Sequence, residues 1–187
     1  GVIYNGVYAE DFQPNYIFKE KLRVLCVSRL IKRKGLVYLI NAVRGLDNVE
    51  LTIIGAGNQV TELKKTASDN VKFLGYVQRS QLGQYYSNSD VFVLPSLNEG
   101  MSNTVLEAMA SGLALILTDT GGTKELVRGN GFIVPKRSTE AIRAKLEYYL
   151  NDRDLLLQHS QKSRTIAEEM NWKQMAQQYK RLYYGMV

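Results

Sequence analysis

The sequence predicts an α/β protein: a doubly wound, Rossmann-like sheet of six parallel strands, helices on both faces, and further helices at the C-terminal end. Three observations predict it. Short runs of apolar and β-branched residues alternate with segments whose apolar residues recur at helical spacing. Several of the runs are apolar at nearly every position rather than at alternate ones, as strands covered on both faces must be. After Pro135 the strand-like runs stop and only helical periodicity continues.

Leu22–Ser28 reads as the first buried strand. Gly35–Leu46 follows as a helix, with Leu36, Leu39, Ile40 and Val43 on one side. Val49–Ile54 is the second strand, closed by Gly55-Ala56-Gly57. Gln59–Ser68 is a polar helix and Val71–Leu74 a short strand. Ser80–Ser89 is helical, with Leu82, Tyr85 and Tyr86 together. Asp90–Leu94 is a strand stopped by Pro95, and Thr104–Ser111 a helix ended by Gly112. Leu113–Leu117 is a strand, Thr123–Val127 a short helix and Phe132–Val134 the last strand. Thr139–Leu150, Asp154–Met170 and Trp172–Tyr184 complete the chain as helices. No linker or repeat interrupts it. Residues 1–18 lack periodicity and are expected to be a connection arriving from elsewhere; residues 19–187 are expected to form one domain.

Composition narrows the classes of function. With 187 residues, 45% hydrophobic and 22% charged, the chain can bury a core without staples. Its single cysteine, Cys26, has no internal disulfide partner, which suits a reducing compartment. One Cys and one His exclude Cys₄, Cys₂His₂ and multi-His zinc sites, and no metal is expected. No apolar run approaches the roughly 18 residues that cross a bilayer. No secretory signal opens the chain, and its first residue is Gly, so a fragment or processed product is expected. The expected location is cytoplasmic, free or peripheral at a membrane. The net charge of +6 is spread over helices except for one knot, Arg29, Lys32, Arg33 and Lys34. No nucleic-acid-binding motif accompanies it, so nucleic acid is not an expected partner. A phosphate-bearing small ligand or an anionic membrane surface suits the knot.

Ligands of doubly wound sheets sit beyond the carboxyl ends of the strands, and the informative residues lie there. In Ser96–Gly112, Glu99 and Glu107 stand eight residues apart across a loop-to-helix junction. The helix start near Ser102–Thr104 offers free N–H groups to an anion, and Gly100 lets backbone approach a ligand. Glu107 falls about 160° from the face carrying Val105, Ala108 and Met109, so it should point away from the core. Thr104 to Glu107 also has the spacing of a capping box, a purely structural account. Glu99, beside Gly100 after Pro95, has no comparable account.

Arg29 and Lys34 flank the turn after the first strand and could clamp a diphosphate; a solvated basic turn fits equally well. Gly55-Ala56-Gly57 lacks the third glycine of a dinucleotide fingerprint, Val60 standing in its place, and reads better as a tight turn. Thr120-Gly121-Gly122-Thr123 could approach a ligand or simply turn the chain. Asp152-Arg153-Asp154 has the form of a metal-holding Asp-x-Asp but reads as helix capping. His159, mid-helix, reads as a packing or surface residue.

In this order and spacing the segments resemble the C-terminal domain of group 1 glycosyltransferases, family four, which have the two-domain GT-B fold. Val2 to Val7 with Phe12, Val27-Ser28-Arg29-Leu30 through Lys34-Gly35, Leu51–Gly57, Val71–Val77, Ser96–Gly112, Gly121-Gly122 with Glu125, Gly129–Pro135 and Trp172 carry the resemblance. It implies a nucleotide-sugar-binding domain, the donor half of a retaining, metal-independent enzyme with no resident cofactor. Arg29 and Lys34 would hold the diphosphate, with backbone N–H groups at Thr104 and Val105. Glu107 would bind the ribose hydroxyls, in place of the capping box. Glu99, with backbone at Gly100 and Met101, would hold the transferred sugar, and backbone near Val77 would face the base. Glu99, Arg29 and Lys34 are the candidate catalytic residues. The family often has Pro two residues after the glycine at Gly112, where this chain has Ala114. Its N-terminal acceptor domain is expected to be the missing partner, leaving the fragment inactive alone. The alternatives are a basic nucleotide- or polyanion-binding module without catalysis, and a sugar-nucleotide epimerase or phosphorylase on the same fold. No segment suggests the pyridoxal-phosphate lysine that a phosphorylase needs.

Overall fold

The computed structural model describes residues 5–185. Six strands form one parallel sheet: β1 (Leu22–Val27), β2 (Val49–Ile54), β3 (Val71–Gly75), β4 (Val91–Leu94), β5 (Ala114–Thr118) and β6 (Gly131–Val134). Their order across the sheet is β3-β2-β1-β4-β5-β6. The chain winds outward from β1 to β3, returns to the middle, and winds outward again from β4. The predicted doubly wound fold is the observed one.

Helices α1 (Leu36–Val43), α2 (Val60–Thr66), α3 (Arg79–Ser87), α4 (Asn103–Ala110) and the short α5 (Thr123–Leu126) connect the strands; α6 (Thr139–Asn151), α7 (Arg153–Glu169) and α8 (Trp172–Tyr183) follow. Helix α1 packs on α2 and α6, while α4 packs on α7, so both faces are covered. That explains the composition of the middle strands: β4 and β5 are buried at every residue. Edge strand β3, half covered, alternates.

Most boundaries fall within one or two residues of expectation. The first helix is shorter than Gly35–Leu46 because Gly35 is left-handed (φ 63°) and Arg44 already extended. Gly35 also sits against β4: a Cβ there would lie 2.2 Å from the Pro95 carbonyl oxygen, so no larger residue fits. Gly55 (φ 139°) likewise brings the end of β2 onto β1, where a Cβ would meet Ser28 O at 1.8 Å. The Gly55-Ala56-Gly57 stretch is therefore the tight turn the sequence suggested. Asp152 caps α7, accepting from Leu155 N–H at 2.8 Å, which accounts for the Asp-x-Asp. His159 packs among Phe132 and Tyr149, its Nδ1 2.8 Å from the Tyr149 hydroxyl.

Residues 7–12 are pinned to the helices. Val7 N–H donates to Met170 O at 2.9 Å, and one Arg164 nitrogen reaches the carbonyls of Ala9, Phe12 and Ala110. Val2-Ile3-Tyr4 lie outside the described residues.

One asymmetry creates the site. β1 pairs with β2 over six residues but with β4 over only two, Val24 with Val91 and Leu25 with Phe92. Beyond them the two middle strands part, opening a crevice at their carboxyl ends where the winding reverses.

Candidate functional site

Loops following β1 and β4 face each other across this crevice. Arg33 O accepts from Leu97 N–H at 2.8 Å, tying the loops together. A 3₁₀ turn over Lys32–Lys34 turns Lys34 inward, to 8% exposure, while Lys32 and Arg33 face solvent. The Lys34 ammonium forms an ion pair with Glu99 Oε2, which also accepts from Ser96 Oγ at 3.2 Å. Of the four basic residues in the knot, Lys34 is the buried one. Arg29 is exposed at the end of β1, and among the described residues its guanidinium has no hydrogen-bond or ion-pair partner.

Glu99 lies in the loop before α4. Gly100 beside it is exposed, and a Cβ there would meet nothing within 4 Å. Backbone at Gly100 and Met101 packs against Gly122. Ser102 is the N-cap of α4 without a side-chain cap bond. Val105 N–H donates to Ser102 O, so among the described residues the unpaired helix-start N–H groups are those of Asn103 and Thr104. The Thr104 N–H is therefore open to a ligand, whereas the Val105 N–H, also expected to meet the diphosphate, donates to Ser102 O. Val77 follows β3, two strands from β1, and is half-buried against the core.

Glu107 differs from both accounts of its position in the helix. It does not point into solvent: it is 5% exposed, because α3 covers this side of α4. Nor does it close a capping box, since the cap is Ser102 rather than Thr104 and the third helical position is Val105. Its Oε2 accepts from the Tyr86 hydroxyl at 2.9 Å, and Arg79 Nη2 lies 3.4 Å from Oε1. Burial raises its pKa; the bond from Tyr86 and the charge of Arg79 oppose that rise. A carboxylate buried beside a tyrosine hydroxyl and a guanidinium is costly to desolvate, and such groups cluster at functional sites.

Tyr86, Arg79 and Ser96 were not singled out as site residues. Tyr86 carried a usable signal: a tyrosine on a buried face needs a partner for its hydroxyl. Arg79, at the start of α3, carried none.

A cavity of about 620 Å³ lies against this carboxylate, lined by Arg79, Glu107, Asn103 and the N-terminal segment. Among the described residues, no three of His, Cys, Asp and Glu gather as a metal cage, and no helix is long and apolar enough to cross a membrane.

The family model described as glycosyl transferases group 1 matches residues 7–168. The chain belongs to the group 1 glycosyl transferases. The GDP-mannose-dependent α-(1-6)-phosphatidylinositol monomannoside mannosyltransferase of Mycobacterium tuberculosis is 32% identical over 177 residues, 80% of this chain and 46% of that protein. The amylovoran biosynthesis glycosyltransferase AmsK of Erwinia amylovora is 34% identical over 144 residues, 68% of this chain and 35% of its own. Sucrose-phosphate synthase from Thermosynechococcus elongatus superposes with a TM-score of 0.88 at 25% identity, over 98% of this chain and 52% of that one. Anabaena HepE, solved with UDP and glucose, shares the fold with the same TM-score at 22% identity, over 98% and 56%. This group 1 glycosyl transferase chain spans about half the length of the curated relatives it matches.

The raised pKa of Glu107 gives an expected pH dependence. Native Glu107 holds its proton more tightly than the unfolded chain does, so its ionisation costs stability as pH rises from the ordinary carboxylate value of about 4.3 through the raised one. Glu107→Gln keeps an acceptor for Tyr86 and removes that cost. Thermal melts at pH 7 should show an unchanged or higher midpoint; a clearly lower midpoint would return Glu107 to a structural role.

Proposed function

We propose that this chain is the donor-binding half of a retaining glycosyltransferase, which moves a sugar from a nucleoside-diphosphate sugar to an acceptor hydroxyl. The observation that carries the reading is the placement of Lys34 and Glu99 side by side across the β1/β4 crevice. A sugar diphosphate joins an anion to a polyhydroxyl ring, and an adjoining cation and carboxylate match the two sides of that junction. Glu107 takes the ribose hydroxyls, and backbone near Val77 faces the base. The GDP-mannose dependence of the mycobacterial relative and the UDP held by HepE support a nucleotide-linked donor.

In this reading the protein supplies electrostatics rather than a nucleophile. Breaking the sugar–phosphate bond leaves negative charge on the diphosphate. Arg29, Lys34 and the Thr104 N–H at the α4 start are fixed positive groups aimed at that charge, and losing one such donor typically costs about 3 kcal/mol of barrier. Glu99, with backbone at Gly100 and Met101, orients the transferred sugar. Neither a metal nor a resident cofactor takes part, and the setting is cytoplasmic or at a membrane surface. The acceptor is held by the remainder of the polypeptide, so residues 1–187 bind donor without turnover.

Calorimetric titration of two variants tests the division of labour. Glu107→Gln should weaken a nucleoside diphosphate and its sugar-linked form alike, each by about tenfold, the scale of a hydrogen bond to a charged group. Glu99→Gln should weaken only the sugar-linked form, since the bare diphosphate still finds Lys34. Equal losses on the bare diphosphate would reject the assignment. Binding no tighter than sulfate, with a steep salt dependence, would favour the polyanion module.

A further inference from the structure

We propose that Tyr86 is a positioning residue of the donor site: its hydroxyl holds the Glu107 carboxylate in the orientation and charge state that ribose hydroxyls require. The proposal rests on the donor-binding reading, in which Glu107 takes the ribose, and asks what keeps that carboxylate fit for the task.

Tyr86 lies in α3, is 0% exposed, and donates to Glu107 Oε2 at 2.9 Å. Its ring is held by two others. Phe12 meets it edge-on with centroids 6.0 Å apart, and Phe92 of β4 lies 6.1 Å away. One Arg164 nitrogen bonds the carbonyls of Phe12 and of Ala110, the last residue of α4. The same guanidinium therefore fixes a ring that packs on Tyr86 and the helix that carries Glu107. A tyrosine has only two side-chain torsions, so with its ring held the hydroxyl is a donor at a fixed point. The hydroxyl does not need Glu107 for its own sake: Thr104 O, a neutral acceptor, stands 3.4 Å away. It has one proton to give, and the shorter contact is to the carboxylate.

An ionised carboxylate offers about four lone-pair sites, all acceptors. Tyr86 occupies one on Oε2, and Arg79 Nη2 approaches Oε1 at 3.4 Å. The rest remain for hydroxyl donors from the adjoining cavity. A protonated carboxyl loses acceptor capacity and gains a donor, a poorer match for a diol. Burial pushes Glu107 toward that form, and the bond from Tyr86 opposes it more strongly than the charge of Arg79 does. Arg79 is 83% exposed, where water screens its charge. Tyr8 and Asp11 are the other titratable groups lining the cavity, and Cys26 of β1 is a further one near Tyr86. Burial, then the charge of Glu107, push the Tyr86 phenol well above its usual range, so its proton stays in place wherever Glu107 titrates.

The test is calorimetric titration of the protein and of Tyr86→Phe with UDP and with GDP, from about pH 8 down to about pH 5. The substitution removes the hydroxyl and keeps the ring with its aromatic contacts. Nucleotide affinity falls as acid protonates Glu107, and without the donor that fall should begin at higher pH, by about one unit, the scale of a hydrogen bond to a charged group. On the acid side the variant should therefore bind about tenfold more weakly, while at the alkaline end the two should agree within about threefold. Phe12→Leu, which loosens the same ring and retains the hydroxyl, should move the fall in the same direction by less. In the Glu107→Gln background, which has no carboxylate to protonate at this position, Tyr86→Phe should leave the pH profile unmoved. Pyrophosphate, which has no ribose, should bind the protein and Tyr86→Phe alike at every pH. A merely structural tyrosine would lower the melting temperature and move none of these profiles. Superimposable nucleotide profiles for the protein and Tyr86→Phe, or a shift that persists in the Glu107→Gln background, would overturn the proposal while leaving a donor site intact. Failure of both nucleotides to bind at any pH would overturn the donor reading and this proposal together.

Discussion

Lys34→Met is expected to weaken binding of a nucleoside diphosphate by about 1.5–3 kcal/mol, the scale of a charged hydrogen bond, or roughly ten- to a hundredfold in affinity. The methionine keeps the apolar stem that Lys34 buries and removes only its charge. Arg29→Ala should cost about as much, because its guanidinium is exposed and uncommitted at the end of β1, free to fork onto the second phosphate. Lys32→Ala and Arg33→Ala remove the same formal charge from the same turn, yet both side chains face solvent and should change affinity by under about 1 kcal/mol at physiological salt. Titration of the four variants separates a site from a patch. A site needs particular cations at fixed positions, whereas a patch needs only total charge; equal losses in all four would sink the donor site. Lys34→Met also leaves Glu99, among the described residues, with Ser96 alone as hydrogen-bond partner, so some loss of stability should accompany the loss of affinity. A second substitution, Glu99→Gln, should recover that stability without recovering diphosphate binding.

The sheet was legible because burial on two faces leaves a continuous apolar run that few other structures require. Val91–Leu94 and Ala114–Leu117 announce themselves in this way. The outline of the site was legible for a related reason: Gly, Pro, Glu and basic residues at strand ends have little packing work to do there. What composition could not reveal was the side-chain pairing across elements. Helical spacing placed Glu107 opposite Val105 and Met109, and the inference that it faced water assumed one covered side. Helix α4 is covered on more than one, by the sheet, α7 and α3, and local periodicity carries no information about α3. The same blindness hid Arg79. An arginine at a helix start looks like ordinary surface until the structure sets it 3.4 Å from a buried carboxylate. Nor does helical spacing show that the Val105 N–H donates to Ser102 O, because helix-start donors depend on which residue caps, and the cap is Ser102.

The second large effect lies at the opposite end of the crevice. Asp90→Ala is expected to lower folding stability by about 3–5 kcal/mol, the range for breaking a buried ion pair from one side. Asp90 is 1% exposed and precedes β4. Its carboxylate accepts the Arg23 backbone N–H at 2.7 Å and the Arg23 guanidinium through Nη2 at 2.5 Å and Nε at 3.1 Å. The Asp90 N–H in turn donates to Arg23 O at 2.8 Å. These contacts lie where β1 and β4 begin, and they compensate for a short ladder. The two middle strands share only two paired positions before they diverge. A longer ladder would hold them more firmly but would close the gap that Lys34 and Glu99 span. The ion pair fastens the strands at their amino ends and leaves their carboxyl ends apart. Urea denaturation of Asp90→Ala should therefore show a lower midpoint with an unchanged slope, and the folded fraction should bind nucleotide with unaltered affinity. Arg23→Met should cost a comparable amount, since it strands the Asp90 carboxylate. The double variant Arg23→Met/Asp90→Leu should cost less than the sum of the two, because no charge is left buried without a partner. A loss in Asp90→Ala below about 1 kcal/mol, the level of an exposed pair, would show that the strand junction does not depend on this contact.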